Sequence, residues 1–123
     1  MQFLDIRNTV FPENHFDCII CNHVICDIKE DKLALSEIYR ILKKGGLALL
    51  QVPITKVSGT VEDEIVKTKE EREIAYGYGY YERIYNDIDY ADLLSSVGFN
   101  VEVRNLYKEY EGYGLNPKED LYM

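Results

Sequence analysis

The stretch FDCIICNHVICDI, from Phe16 to Ile28, gathers all three cysteines of the 123-residue chain, Cys18, Cys21 and Cys26, together with His23, one of its two histidines. Thiolate and imidazole are metal ligands and redox groups, so a zinc or dithiol centre is the first chemistry to weigh. A closed zinc site pairs a C-x2-4-C knuckle with a second, distant pair of ligands. Here the ligand types crowd into one short run, and the other histidine, His15, lies just before it. A redox C-x-x-C sits at a helix start, where the dipole lowers a thiol pKa. Cys18-Ile19-Ile20-Cys21 lies instead in an apolar, β-forming run. That run reads as a strand covered on both faces of a parallel sheet, with cysteine acting as a small buried hydrophobe. No metal centre is expected. The polar Asn22 and His23 then mark the carboxyl end of the strand, where open α/β sheets bind ligands.

The elements that would position this end follow from the pattern around it. Pro12-Glu13-Asn14 supplies a turn into the strand. The region from Asp27 to Gly46 reads as a helix with its caps: Asp31 at the N-cap, Ala34, Ile38, Ile41 and Leu42 on one face, and Gly45-Gly46 as the stop. Leu47 to Val52 is a second buried strand, closed by Pro53. Strand, helix and strand in this order form a βαβ crossover with parallel strands and a right-handed connection. Beyond it, Thr60-x-x-Asp63 and Thr68-x-x-Glu71 compete as capping boxes in a polar region. Tyr76 to Tyr90 carries six of the 11 tyrosines, and its first part, where glycine and tyrosine alternate, reads as a loop or short extended segment. Tyr90 to Val97 is an amphipathic helix, Phe99 to Val103 an alternating third strand, and Leu121 to Met123 a final short strand after a turn at Asn116-Pro117.

Composition bounds the function. The chain is 46% hydrophobic and 29% charged, with net charge −8, which fits one globular domain. No basic excess exists to displace counterions from nucleic acid, so no nucleic-acid partner is expected. No apolar run approaches a membrane span, and no signal peptide is visible. An odd cysteine count without a secretory signal points to reduced thiols in the cytoplasm.

The segment FPENHFDCIICNHVICDIKEDKLALSEIYRILKKGGLALLQVP resembles the middle of class I methyltransferases that use S-adenosylmethionine (SAM). The matching residues are Asp5, Phe11-Pro12, Phe16-Asp17, Leu35-x-Glu37-x-x-Arg40-x-Leu42 and Gly45-Gly46. The later segment EREIAYGYGYYERIYNDIDYADLLSSVGF is similar to one branch of that family at Arg83, Tyr85, Asp89-Tyr90 and Gly98-Phe99. It departs at Tyr80-Tyr81, where that branch carries an Asp-His pair. The resemblance implies an α/β, Rossmann-like half-fold: a mostly parallel sheet with one βαβ crossover and a carboxyl-terminal antiparallel strand, as a single truncated domain over residues 1–123. The family's glycine-rich cofactor loop would precede Asp5, and no G-x-G motif lies there.

The resemblance implies site roles, each with a plainer alternative. Asp5 matches the acid that bonds the adenine amino group, with Ile6 its apolar neighbour; otherwise it is a solvated residue of a frayed end. Asn22 and His23 lie where cofactor and acceptor meet, with His23 a candidate base; otherwise they cap a strand end. Arg83 and Tyr85 line an acceptor pocket; otherwise they belong to a surface tyrosine-rich loop. Glu37 and Arg40 form a helix-face pair at i, i+3. Two functions follow. One is a SAM-dependent methyltransferase or a piece of one, weak or inactive as an isolated chain. The other is a non-catalytic interaction module. Either way the strand at Phe16–Cys21 would lack a neighbour, and its open apolar edge favours a homodimer or a partner chain carrying the amino half.

Overall fold

The computed structural model describes residues 3–104 and 106–113. Asn14 turns the chain in the left-handed region (φ 52°). Its own amide and the next one fasten the chain to the end of the following helix: the N–H of Asn14 donates to the Arg40 carbonyl at 3.0 Å, and that of His15 to the Ile41 carbonyl at 2.8 Å. Strand β1, Phe16–Asn22, leads through a 3-10 turn at Ile25–Asp27 into helix α1, Asp31–Ile41, and on to strand β2, Leu42–Gln51. β1 and β2 are parallel, paired from Cys18↔Leu47 to Asn22↔Gln51. This is the expected βαβ crossover.

Two boundaries differ from the sequence reading. Asp31 is the first helical residue rather than the N-cap; Glu30 holds the N-cap position without a side-chain cap. The Asp31 carboxylate is used elsewhere, accepting from the Tyr85 hydroxyl at 2.6 Å. The helix also stops at Ile41, before the glycines. Leu42 already pairs with Phe16, and Lys43 to Gly46 loop out before pairing resumes at Cys18↔Leu47. Gly45 (φ 77°) makes this bulge possible, and a Cβ on Gly46 would fall 2.9 Å from the Lys43 carbonyl and 3.0 Å from that of Asp17. The Lys43 ammonium closes it with two bonds to the Asp17 carboxylate, at 2.8 and 2.9 Å.

The second region is built on short pieces. Strand β3, Ile54–Thr55, pairs in parallel with strand β4, Tyr85–Asn86. Helix α2, Lys69–Tyr76, starts with the full Thr68–Glu71 capping box. Of the two competing boxes this one forms, because the Thr60 hydroxyl and amide are taken by the Asp89 carboxylate at 2.9 and 2.7 Å. Helix α3, Asp87–Val97, is capped by the Asn86 side chain, which accepts from the Ile88 amide at 3.0 Å. A last helical turn, α4, spans Leu106–Glu109. Phe99 to Val103 is not a strand. The Phe99 ring packs edge-on against Tyr39 at 5.1 Å, while Val103 is exposed and pairs with no strand among the described residues. The Asn116-Pro117 turn and the Leu121–Met123 strand lie outside the described residues.

The core lies between one sheet face and the helices. Cys21, Ile25, Cys26, Ala34, Leu35, Ile38, Val52, Tyr85, Tyr90 and Leu94 form one buried cluster. The opposite face of β1–β2 is open, contrary to the expectation of a strand covered on both sides. The cross-strand pairs Cys18↔Leu47 and Ile20↔Leu49 point there, with Ile20 65%, Leu47 58% and Leu49 48% exposed. Parallel sheets usually carry helices on both faces; here one face of the pair presents an exposed apolar ladder.

Candidate functional site

At the carboxyl end of β1 the chain turns sharply at His23, whose backbone is left-handed (φ 54°). Such a conformation is uncommon for a residue with a side chain, and it collects at functional sites. The His23 amide is held by the Gln51 carbonyl at 2.8 Å, so the corner is tied to the same end of β2. Asn22 stands exposed beside it. Just beyond, Cys26 is fully buried, and burial with the nearby Asp27 carboxylate pushes its thiol up to about 12. Cys21 is likewise buried, so both sulfurs pack the core, as the strand reading expects, whereas Cys18 is exposed. Partial burial raises the Asp27 carboxyl, a shift opposed by its contact with the Cys26 thiol and by His23.

A second feature adjoins this turn. An open cleft of about 790 Å³ runs between residues 3–7 on one wall and residues 27–30 on the other. Asp5 and Ile6 lie in its lining. The Asp5 carboxylate accepts from the Arg7 amide at 2.9 Å and from the Arg7 guanidinium at 3.0 and 2.9 Å. These bonds hold its pKa near 2. Arg7 also reaches across the cleft to Glu30 at 2.9 Å. Asp5 is thus paired with Arg7 in the lining of the cleft.

Arg83 and Tyr85 bond the same loop. Arg83 is only 4% exposed, which excludes the surface-loop alternative. Its guanidinium donates to the carbonyls of Ile28 (2.6 Å) and Lys29 (2.9 Å) and grips Glu62 with two bonds, at 3.1 and 3.0 Å. Tyr85, also buried, donates its hydroxyl to Asp31; burial and then this bond raise its pKa well above the ordinary phenol value. The fork geometry of guanidinium suits this work, since it satisfies several acceptors at once.

The loop from Asp27 to Asp31 is therefore the meeting point. Asp5 and Ile6 line a cleft with it, and Arg83 and Tyr85 fasten it through hydrogen bonds. Asn22 and His23 precede it at the strand end and do not line that cleft. Sequence reasoning missed Arg7, Glu30, Asp31 and Glu62 as partners, because they are ordinary charged residues far apart in the chain. The Glu37–Arg40 pair is present at 2.6 Å, but it does more than decorate a helix. Glu37 also accepts from the Thr9 amide and hydroxyl, both at 2.8 Å, while Arg40 donates to the Phe11 carbonyl at 2.8 Å. The pair clamps the segment that leads from Asp5 to β1. Among the described residues no group of histidine, cysteine and acidic side chains is placed to hold a metal ion.

The sequence profile of a family described as a methyltransferase domain matches residues 2–50, which spans the clamped segment, β1, α1 and most of β2. No curated protein matches the sequence. Among solved structures, a candidate methyltransferase from Bacillus halodurans is similar with a TM-score of 0.56 and 23% identity, over 80% of this chain and 41% of that one. A phosphoethanolamine N-methyltransferase from Haemonchus contortus, solved with phosphomonomethylethanolamine and S-adenosylhomocysteine, has a TM-score of 0.55 and 25% identity, over 85% of this chain and 23% of that one. A complex of the Haloferax volcanii Trm112 methyltransferase activator with a candidate methyltransferase gives a TM-score of 0.51 and 15% identity, over 96% of this chain and 54% of that one. The chain thus spans less than half the length of the Bacillus and Haemonchus proteins. Residues 2–50 thus match a methyltransferase-domain profile, and over most of its length the chain shares the α/β, Rossmann-like fold of solved methyltransferases.

Proposed function

We propose that this chain is the acceptor-side part of a SAM-dependent methyltransferase, with little activity by itself, acting in a cytoplasmic setting. The observation that carries the reading is the family match over residues 2–50, which covers Asp5, Ile6, Asn22 and His23 together. In this reading Asp5, Ile6 and Asn22 face the cofactor, His23 faces the acceptor, and Arg83 and Tyr85 act on the acceptor side by fixing the loop from Asp27 to Asp31.

The residues present suit the adenosine end of SAM. An ionised carboxylate has roughly four acceptor positions, and Arg7 uses three of those on Asp5. Ile6 offers an apolar flank in the same cleft, and the exposed Asn22 amide both donates and accepts. SAM would supply an electrophilic methyl group on sulfonium. The chain's own contribution is to orient the acceptor and, for acceptors that must lose a proton, to take it at the His23 imidazole. The glycine-rich loop that the family places before Asp5 would come from residues outside this sequence, on the same polypeptide or on a partner.

The second reading is a non-catalytic interaction module, favoured by the apolar ladder of Cys18, Ile20, Leu47 and Leu49 on the open sheet face. A second copy of the chain, or a chain carrying the amino half, would cover it. The Haloferax complex is a precedent for a protein of this fold working with a partner.

Calorimetric titration of SAM into the purified chain, with its mass in solution measured alongside, tests both. The expected result is a dimer with no saturable heat at millimolar SAM, and micromolar binding once the preceding residues or the partner are supplied. Failure of that completed form to bind SAM overturns the enzyme reading. Micromolar binding to a monomer overturns the incompleteness of the site.

A further inference from the structure

The tyrosine-rich segment contains one arrangement that the methyl-transfer reading does not use. Helix α2 ends at Gly77 in the left-handed region (φ 75°). The chain then doubles back, so that residues 78–80 pass beside the first turn of the same helix. A Cβ on Gly79 would lie 2.5 Å from the Lys69 Cγ and 2.9 Å from the Lys69 carbonyl oxygen. Glycine there lets the Lys69 stem lie across the turn. Its ammonium ends 4.6 Å from the centroid of the Tyr80 ring and 3.1 Å from the Tyr80 hydroxyl.

Tyr80 is not alone. The Tyr78 ring leans on Tyr80 with centroids 5.4 Å apart and on Tyr81 at 4.8 Å, each tilted by about 55°. Tyr78 and Tyr80 are about half exposed, so these ring faces are available at the surface rather than spent in the core. The Tyr80 hydroxyl, and then the Glu73 and Glu70 carboxylates, hold the Lys69 pKa above its ordinary value. Aromatic faces attract cations through the ring quadrupole, and in water weakly hydrated, alkylated ammonium ions are favoured because they lose little hydration and bury carbon against the rings. Three contiguous rings in an acidic field, with an ammonium ion already seated, have the composition of such a receptor.

We propose that Tyr78, Tyr80 and Tyr81 form a recognition surface for an organic ammonium ion, which the Lys69 side chain of the same chain occupies in this conformation. Lys69 is then an internal competitor. A ligand must displace it, and removing its charge raises affinity. This inference does not rest on SAM binding and is tested without it.

The test is a titration of the full chain with choline and with its uncharged isostere 3,3-dimethylbutan-1-ol, followed through the tyrosine ring resonances by NMR. Choline is expected to give saturable shifts confined to Tyr78, Tyr80 and Tyr81, and the isostere none. Lys69→Met, which leaves the Thr68–Glu71 capping box in place, is expected to tighten choline binding about threefold, the order of an exposed cation–π contact. Tyr80→Leu is expected to abolish saturation. Equal shifts from choline and the isostere on the unmodified chain would overturn the proposal, since the patch would then be merely apolar. Unchanged or weaker choline binding in Lys69→Met would overturn it too.

Discussion

In the β1–α1–β2 unit, Ala34, Leu35, Ile38 and Cys21 pack one face of a helix onto one face of a sheet. From Ile54 to Asn86 the chain has two-residue strands and is held instead by Arg83, which reaches two carbonyls, Glu62 and the Tyr85 ring system. The first region is stabilised by surface removed from water, a term that tolerates imprecision. The second is stabilised by hydrogen bonds that must all be made, because a buried guanidinium with missing partners costs more than its bonds return. The contrast teaches where each half is brittle. The crossover fails by cavity formation and the second region by loss of a single donor.

Substitutions can break this contrast or sharpen it. Leu35→Ala, at a fully buried position, is expected to cost about 3 kcal/mol in urea unfolding. Arg83→Met keeps the aliphatic stem but removes the donors; it is expected to cost about 2 kcal/mol, because the Ile28 and Lys29 carbonyls lose their partners while half-exposed Glu62 turns to water. If Arg83→Met were neutral, the second region would be an apolar assembly like the first.

A finer test uses two adjacent tyrosines, whose rings lie 4.7 Å apart. The Tyr85 hydroxyl bonds Asp31, whereas that of Tyr90 is buried without a hydrogen-bond partner among the described residues. Tyr85→Phe is expected to destabilise by about 1 kcal/mol, and Tyr90→Phe to be neutral or stabilising, both read from thermal unfolding. Equal effects would mean that the polar network does not extend to Tyr85.

The smallest effect concerns acid. Arg40, with Thr9, holds the Glu37 carboxyl near 2, below its ordinary 4.5. A depressed carboxyl contributes stability that is complete above its unfolded pKa and is lost as pH falls through the folded one. Stability is therefore expected to decline from about pH 4.5 toward pH 2, and Glu37→Gln to flatten that slope in urea midpoints measured across the window.

The two regions were also unequally legible. The crossover could be read because apolar spacing reports burial directly: Ala34, Ile38 and Ile41 recur at helical intervals, and the strands are continuous apolar runs. The helix end was misjudged because Gly45-Gly46 is ambiguous in sequence; the same pair that stops a helix also permits a bulge. Arg83 and Tyr85 were singled out only through a family resemblance, and their burial was not foreseen. Nothing in the sequence announces that an arginine will find Ile28, Lys29 and Glu62, since such partners are set by the path of the chain and not by local propensity. Phe99–Val103 shows the reverse error. Its alternation satisfies the strand pattern, yet alternation supplies no neighbour to pair with.

The loop-out from Lys43 to Gly46 has a consequence for how this fold can vary. Pairing between the strands restarts at Cys18↔Leu47, after the glycines, and from there every residue to Asn22↔Gln51 is in step. The carboxyl end that carries His23 is therefore indexed from Leu47 and not from the helix. Residues gained or lost between Leu42 and Leu47 alter slack, not phase. The alignment of the two strand tips is thus set after the bulge, much as an expansion joint separates one span of a bridge from the next.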